Sequence, residues 1–197
     1  MTMRNAMVAL VGLGILGVAF SSAVAQPPAP EVTNEHKLLK KDVGVWEAEM
    51  KTWMEGPDKE PMVSKGVERT HAVGDYWIVS TYEGDFAGQT FVGHSQMGYD
   101  PAKKKFIGTW IDSMSTSLAQ MDGTYDEATQ ELTMVMTMLD PATGKDTKAK
   151  TVSKYIDDNT RQFTMYMETP GVGEGWMKSM EVTYKKRQAR EGKRPRG

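Results

Sequence analysis

The sequence predicts an all-β fold, an antiparallel up-and-down β-barrel of about ten strands with one short N-terminal helix. Three observations carry this expectation. Apolar and polar residues alternate with period two in ten segments, the pattern of strands with one buried face. Clusters of Gly, Pro, Asp, Asn and Thr separate those segments at short intervals, as in a chain of hairpins. A meander of this length also has two unpaired edges unless it closes, and closure removes the free N–H and C=O groups that template aggregation. An open two-sheet sandwich is the alternative arrangement of the same strands.

The first residues, MTMRNAMVALVGLGILGVAFSSAVAQ, place one basic residue, Arg4, before an uncharged apolar run from Ala6 to Phe20. Ala23-Val24-Ala25 follows, a small-x-small cleavage pattern. This is the layout of a secretory signal peptide over residues 1–25, so the mature protein is expected to be periplasmic or secreted. The apolar run is shorter than the roughly 20 residues of a membrane span, and no stable span is expected after processing. Within it GLGILG spells G-x-G-x-x-G, but no strand precedes it and no helix follows, so it is not a nucleotide fingerprint. The chain has no cysteine, which removes lipid attachment, disulfides and thiolate ligands from consideration.

Residues 26–32, QPPAPEV, are a proline-rich spacer. In TNEHKLLKKDVG, Thr33 or Asn34 can cap a short helix whose apolar edge is Leu38 and Leu39, and Gly44 ends it. The first strand is GVWEAEMKTWM, with Trp46, Ala48, Met50 and Met54 on one face and Glu47, Glu49 and Lys51 on the other. Further strands are expected at 62–72, 75–83, 89–99, 105–114, 116–125, 130–139, 147–156, 161–168 and 175–186. Between them lie the turn signals GD, AGQ, DPAKKK, DEATQ, DPATGKD, DDNT and TPGVGEG. Without residues 1–25 the chain has 23 basic and 26 acidic residues, a net charge of −3. Seven of the basic residues crowd into KKRQAREGKRPRG at the end, so residues 26–184 carry −9. An acidic body argues against nucleic acid as a partner, and residues 187–197 read as a basic disordered tail.

The stretches HKLLKKDVGVWEAEM, GYDPAKKKFIGTWIDSMST and GTYDEATQELTM, with the strands around them, resemble the bacterial DUF1579 family, a domain of unknown function. The resemblance spans about residues 34–186 and sets the domain at 33–186. It implies a lipocalin-like, calycin-type barrel, and Gly44-Val45-Trp46 is similar to the Gly-x-Trp that opens the first strand of calycins. The long C-terminal helix of lipocalins is missing. The family has no established activity, so the resemblance transfers no catalytic residue.

No residue pattern amounts to a reaction centre. GHSQM (93–97) lacks the second glycine of a nucleophile elbow, and His94 and Ser95 point to opposite faces of a strand. His36, His71 and His94 fall in three different elements, which gives neither a zinc site nor a marked haem ligand local support. Methionine is abundant, with 16 in the chain. Met134, Met136 and Met138 share one strand face, as do Met165 and Met167. Thioethers at this spacing suit Cu(I), but they equally fill or line an adaptable apolar interior. In 105–114, Phe106, Gly108, Trp110, Asp112 and Met114 lie on one face, and Ile107, Thr109, Ile111 and Ser113 on the other. Both faces are partly apolar. A large ring, one anion and a thioether suit a cavity with an orienting polar group. The resulting expectation is an exported barrel that binds a small apolar or amphipathic molecule through Trp46, Met50, Trp110, Asp112 and Met114, with no catalytic residue, cofactor or metal. An isomerase or hydrolase using Asp112 or His94 in the same cavity is the main rival, followed by a Met-rich periplasmic copper binder.

Overall fold

The computed structural model describes residues 29–139, 143–169 and 175–188. The expected signal peptide, most of the spacer and the end of the basic tail lie outside them. Helix α1 (Asn34–Leu39) is N-capped by Thr33, whose backbone N–H donates to Nδ1 of His36 at 3.0 Å. That is a capping box with His in the place usually taken by Glu or Gln. A single 3-10 turn, Lys40–Asp42, carries the chain to Gly44, whose φ of 138° disfavours any residue with a Cβ.

Ten strands follow: β1 (Gly44–Thr52), β2 (Met62–Val73), β3 (Trp77–Phe86), β4 (Gln89–Asp100), β5 (Lys105–Asp112), β6 (Ala119–Asp126), β7 (Glu131–Leu139), β8 (Asp146–Asp157), β9 (Thr160–Glu168) and β10 (Trp176–Lys186). Each pairs antiparallel with the next, and β1 pairs with β10, so the sheet is a closed barrel in sequence order. The seam runs from Trp46 opposite Lys186 to Thr52 opposite Met180. It continues one residue further, because the backbone N–H of Arg187 donates to the carbonyl of Val45 at 2.8 Å. Arg187 also pairs with Glu47 at 3.1 Å, so the first residue expected in the tail is tied to the barrel.

The hairpin turns repeat one device. Asp100 accepts from the N–H groups of Ala102 and Lys103, and Asp126 accepts from those of Ala128 and Thr129. Each of these turns ends on a left-handed residue, Lys104 or Gln130. An aspartate that binds the backbone two residues on imitates a turn and starts it. At the opposite end of the barrel, Ala87 and Gly88 both have positive φ, the conformation a two-residue hairpin demands.

One end of the barrel is plugged. Leu39 of α1 is buried against Ile78, Phe106 and Leu132 in one apolar cluster. Beside it an ionic group is sealed inside. Arg161 on β9 reaches Asp42 Oδ2 at 3.0 Å and Glu68 Oε1 at 2.5 Å. Its guanidinium lies 4.2 Å from the ring centre of Tyr184 and 5.1 Å from that of Trp46. The Trp46 indole N–H in turn donates to the carbonyl of Asp42 at 2.8 Å. Burial pushes the Asp42 carboxyl above its ordinary range, with the Arg161 charge pulling the other way. On Arg161 itself desolvation is outweighed by the two carboxylates, which hold it protonated.

Removing this cation tests the arrangement. Arg161→Met should lower stability at pH 7 by about 3–5 kcal/mol, read from the urea midpoint, because two carboxylates would stay buried without a cation. The native state then binds the Asp42 proton more tightly than the unfolded chain does. Its contribution is therefore present at low pH and lost as pH rises through the raised native pKa. Lowering the pH from 7 towards 5 should narrow the gap between variant and wild type.

Candidate functional site

The alternation of each strand divides the inner wall into two halves. In the plugged half, inward side chains such as Phe106, Leu132, Trp46 and Arg161 are buried. Towards the far end, Phe91, Trp110, Met138, Met165, Met167 and Met180 share the inward face of their strands yet remain only partly buried. These side chains are aromatic or thioether, and they curve round the wall from β4 to β10. On β1 the inward face stays buried to its last residue, Thr52.

Trp110 is the hub of the open half. Its indole N–H donates to Asp112 Oδ2 at 2.9 Å, and its ring stacks on Phe91 at 6.3 Å and 22°. It packs against both apolar clusters. The ring lies flat on β4 because position 93 is glycine. A Cβ there would overlap the indole. Gly66 and Gly84, directly paired across β2 and β3, make the same allowance for the ring of Tyr82.

The expected site residues separate into different roles. Trp110 and Asp112 face inward, which settles the orientation of 105–114. Asp112 is engaged on both oxygens, since Oδ1 accepts from the N–H of Met114 at 2.9 Å. Met50 is inward and buried beside Ala48 and Val182. Trp46 is inward too, but it sits in the plugged half under Arg161 and forms part of the seal. Met114 does not belong with them. It is 47% exposed, in the turn beyond β5. The strand ends at Asp112 because that carboxylate captures the next turn, so the period-two count cannot be carried two residues further. Met54 is displaced for the same reason: β1 stops at Thr52 and Met54 is 68% exposed. Phe91 carries no signal in the sequence beyond the alternation of its strand, and Met165, Met167 and Met180, legible there only as part of the methionine abundance, join it on the inward wall. The inward position of Met180 depends on the register shift between Lys178 and Met180.

The two acid–base candidates, His94 and Asp112, do not meet. His94 pairs across the sheet with Ile111 and shares a 3.1 Å hydrogen bond with Thr81 on the outer surface, whereas Asp112 is inside. His71 is also exposed, and His36 is committed to the α1 cap. Among the described residues no three His, Asp, Glu or Cys side chains gather as a metal set. A recess of about 280 Å³ lies at the plugged end, lined by Lys41, Trp46, Tyr155, Asp157 and Lys186 among others. It is a surface feature with both signs of charge and shares only Trp46 with the expected site.

A closed ten-strand barrel with a plugged base and an apolar, partly exposed inner wall is the class of protein seen here. The chain belongs to the DUF1579 family, described as a protein of unknown function, whose sequence model matches residues 31–186. Rv2717c from M. tuberculosis has a similar fold, with a TM-score of 0.59 at 12% identity over 80% of this chain and 100% of that one. The S-type phycobiliprotein lyase CPES from Guillardia theta is similar too, with a TM-score of 0.52 at 12% identity over 81% of this chain and 99% of that one. No curated protein matches the sequence. At such identity the structural likeness speaks for the fold alone.

The glycine allowance is directly testable. Gly93→Ala should force the Trp110 ring off the wall and cost about 1–3 kcal/mol in chemical denaturation, the usual penalty for overpacking. The tryptophan emission of the folded variant should shift as the Trp110–Asp112 hydrogen bond is disturbed.

Proposed function

We propose that this protein is exported and carries a small apolar or amphipathic molecule in the far half of its barrel. The observation that supports the reading is the band of inward aromatic and methionine side chains that a closed barrel leaves partly exposed. A filled interior buries such groups, whereas a binding cavity is lined with them and carries only a few polar groups. Unbranched thioethers on facing strands adapt their rotamers to ligands of differing shape. Trp110, fixed by Asp112 and stacked on Phe91, supplies a rigid platform among these flexible groups.

An uncharged polarity-sensitive dye should therefore bind saturably and change the tryptophan emission. Met165→Trp, which adds volume to the inner wall, should weaken that binding at least about tenfold while the melting temperature holds. A solid interior gives the opposite result: the wild type binds no dye, and the larger residue lowers stability by about 1–3 kcal/mol.

Export is proposed from the apolar run and the Ala23-Val24-Ala25 triplet. The intact mass of protein recovered from the cell envelope should correspond to a chain beginning at Gln26. A mass that retains Met7 would contradict it.

A further inference from the structure

The wall between the plug and the far rim on β1, β2 and β3 differs from the rest of the interior. Three hydroxyls are buried on it without a hydrogen-bond partner among the described residues: Thr52 Oγ1, Ser64 Oγ and Tyr82 Oη. Their residues are 6%, 9% and 3% exposed. All three belong to the inward face. Ser64 stands opposite Met50, one inward position before Thr52. The Tyr82 ring folds along β3 so that its hydroxyl lies over Gly66, the inward residue next to Ser64 on β2. The hydroxyls thus form a short track running towards the far rim. A buried hydroxyl without a partner costs stability, so three together on one inward face call for a partner that the described side chains do not supply.

Position and charge narrow that partner down. In a closed barrel of ten strands, β2 stands across the axis from β7. The inward face of β7 runs from Leu132 through Met134 and Met136, all buried, to Met138, which is partly exposed at the far end. One wall therefore offers hydroxyls and the wall facing it offers thioethers. The charges nearest the track are carboxylates, and the cation beside them is already paired. Glu68 is the cross-strand partner of Tyr82, and Asp112 faces inward on β5. The buried cation, Arg161, is occupied by Asp42 and Glu68. The ammonium of Lys186 is at the plugged end, bonded to the carbonyl of Lys41 at 3.2 Å. Burial, with the Glu68 charge adding to it, pushes the Tyr82 hydroxyl up to about 12, so it remains a proton donor. A ligand carboxylate placed here would lose its hydration with no cation to meet it and two carboxylates nearby.

We propose that Thr52, Ser64 and Tyr82 form the polar subsite of the barrel, taking the uncharged alcohol, ester or amide head of an amphiphile whose chain lies against the partly exposed methionine wall that begins at Met138, and disfavouring fatty-acid carboxylates. This rests on the container reading above and adds the class of ligand. Each hydroxyl donates one bond and accepts others, which matches heads that present a carbonyl or hydroxyl oxygen.

The test holds the chain constant and varies the head. Displacement of a bound apolar dye from the full-length mature protein is measured at pH 7.5 with dodecanol, the dodecanoyl monoester of glycerol, dodecanoate and dodecane. Both neutral-headed ligands should bind at least about tenfold tighter than dodecanoate. Thr52→Val with Ser64→Ala should weaken them by about threefold to tenfold, the loss of one typical hydrogen bond, and leave dodecane unchanged. Tyr82→Phe, which keeps the ring over Gly66, serves as an independent variant with the same expected direction. Equal or tighter binding of dodecanoate overturns the proposal. So does an unaltered head preference in both variants, which means the hydroxyls hold only water. In either case dodecane and the dye still bind, so the container reading survives. Failure of the dye and of every chain compound to bind removes both.

Discussion

The pairing of β1 with β10 is the constraint on which the rest of the structure depends. Seven registered pairs, Trp46 to Thr52 against Lys186 to Met180, turn a ten-strand meander into a surface without edges. Once the sheet is closed, every strand has an inside and an outside, and the period-two alternation of each sequence segment acquires a common meaning. The short connections follow from the same constraint. Consecutive strands are neighbours, so tight turns started by Asp100 or Asp126 suffice. The long seam must instead be found by residues at opposite ends of the domain, a non-local pairing that local propensity does not supply.

Closure also creates an interior that must be furnished, and the two halves are furnished differently. At the base, α1 and the 3-10 turn insert Leu39 and Asp42, and Arg161 gathers two carboxylates beneath the rings of Trp46 and Tyr184. A buried ion group of this kind contributes little net stability, but it tolerates very few alternative arrangements. It fixes the plug to β2 and β9 at once. In the far half the wall is built from rings laid flat over glycines and from methionines that stay partly exposed.

Electrostatics joins the two halves. Burying one guanidinium between two carboxylates leaves no cation for the track of hydroxyls above it, and the Asp112 carboxylate is spent on the Trp110 indole and the backbone of Met114. The interior is therefore polar in one sector and apolar in the facing one. In such a field the head of an amphiphile counts for more than its chain, because moving an unpaired charge out of water costs far more than moving a methylene saves.

The sequence by itself determined the strands, their order and most of their inward faces. Alternation in GVWEAEM or MVMTM is a local property, and so are the Asp-initiated turns, so the ten elements were legible before any packing was known. The identity of the ring and thioether wall was partly legible too, through Trp110 and Met50. The errors fall where a side chain ends a strand: Asp112 captures the Met114 N–H, and the alternation that had placed Met114 inside no longer applies. What only the tertiary structure decided are relations between distant residues. Arg161 meets Glu68 across 93 positions of sequence, and Trp110 rests on Gly93 because β4 and β5 pair in one register and no other. Thr52, Ser64 and Tyr82 are unremarkable as letters in a strand. They come together because closure turns their faces inward, where no described side chain partners their hydroxyls, and burial of that kind is a property of the whole barrel.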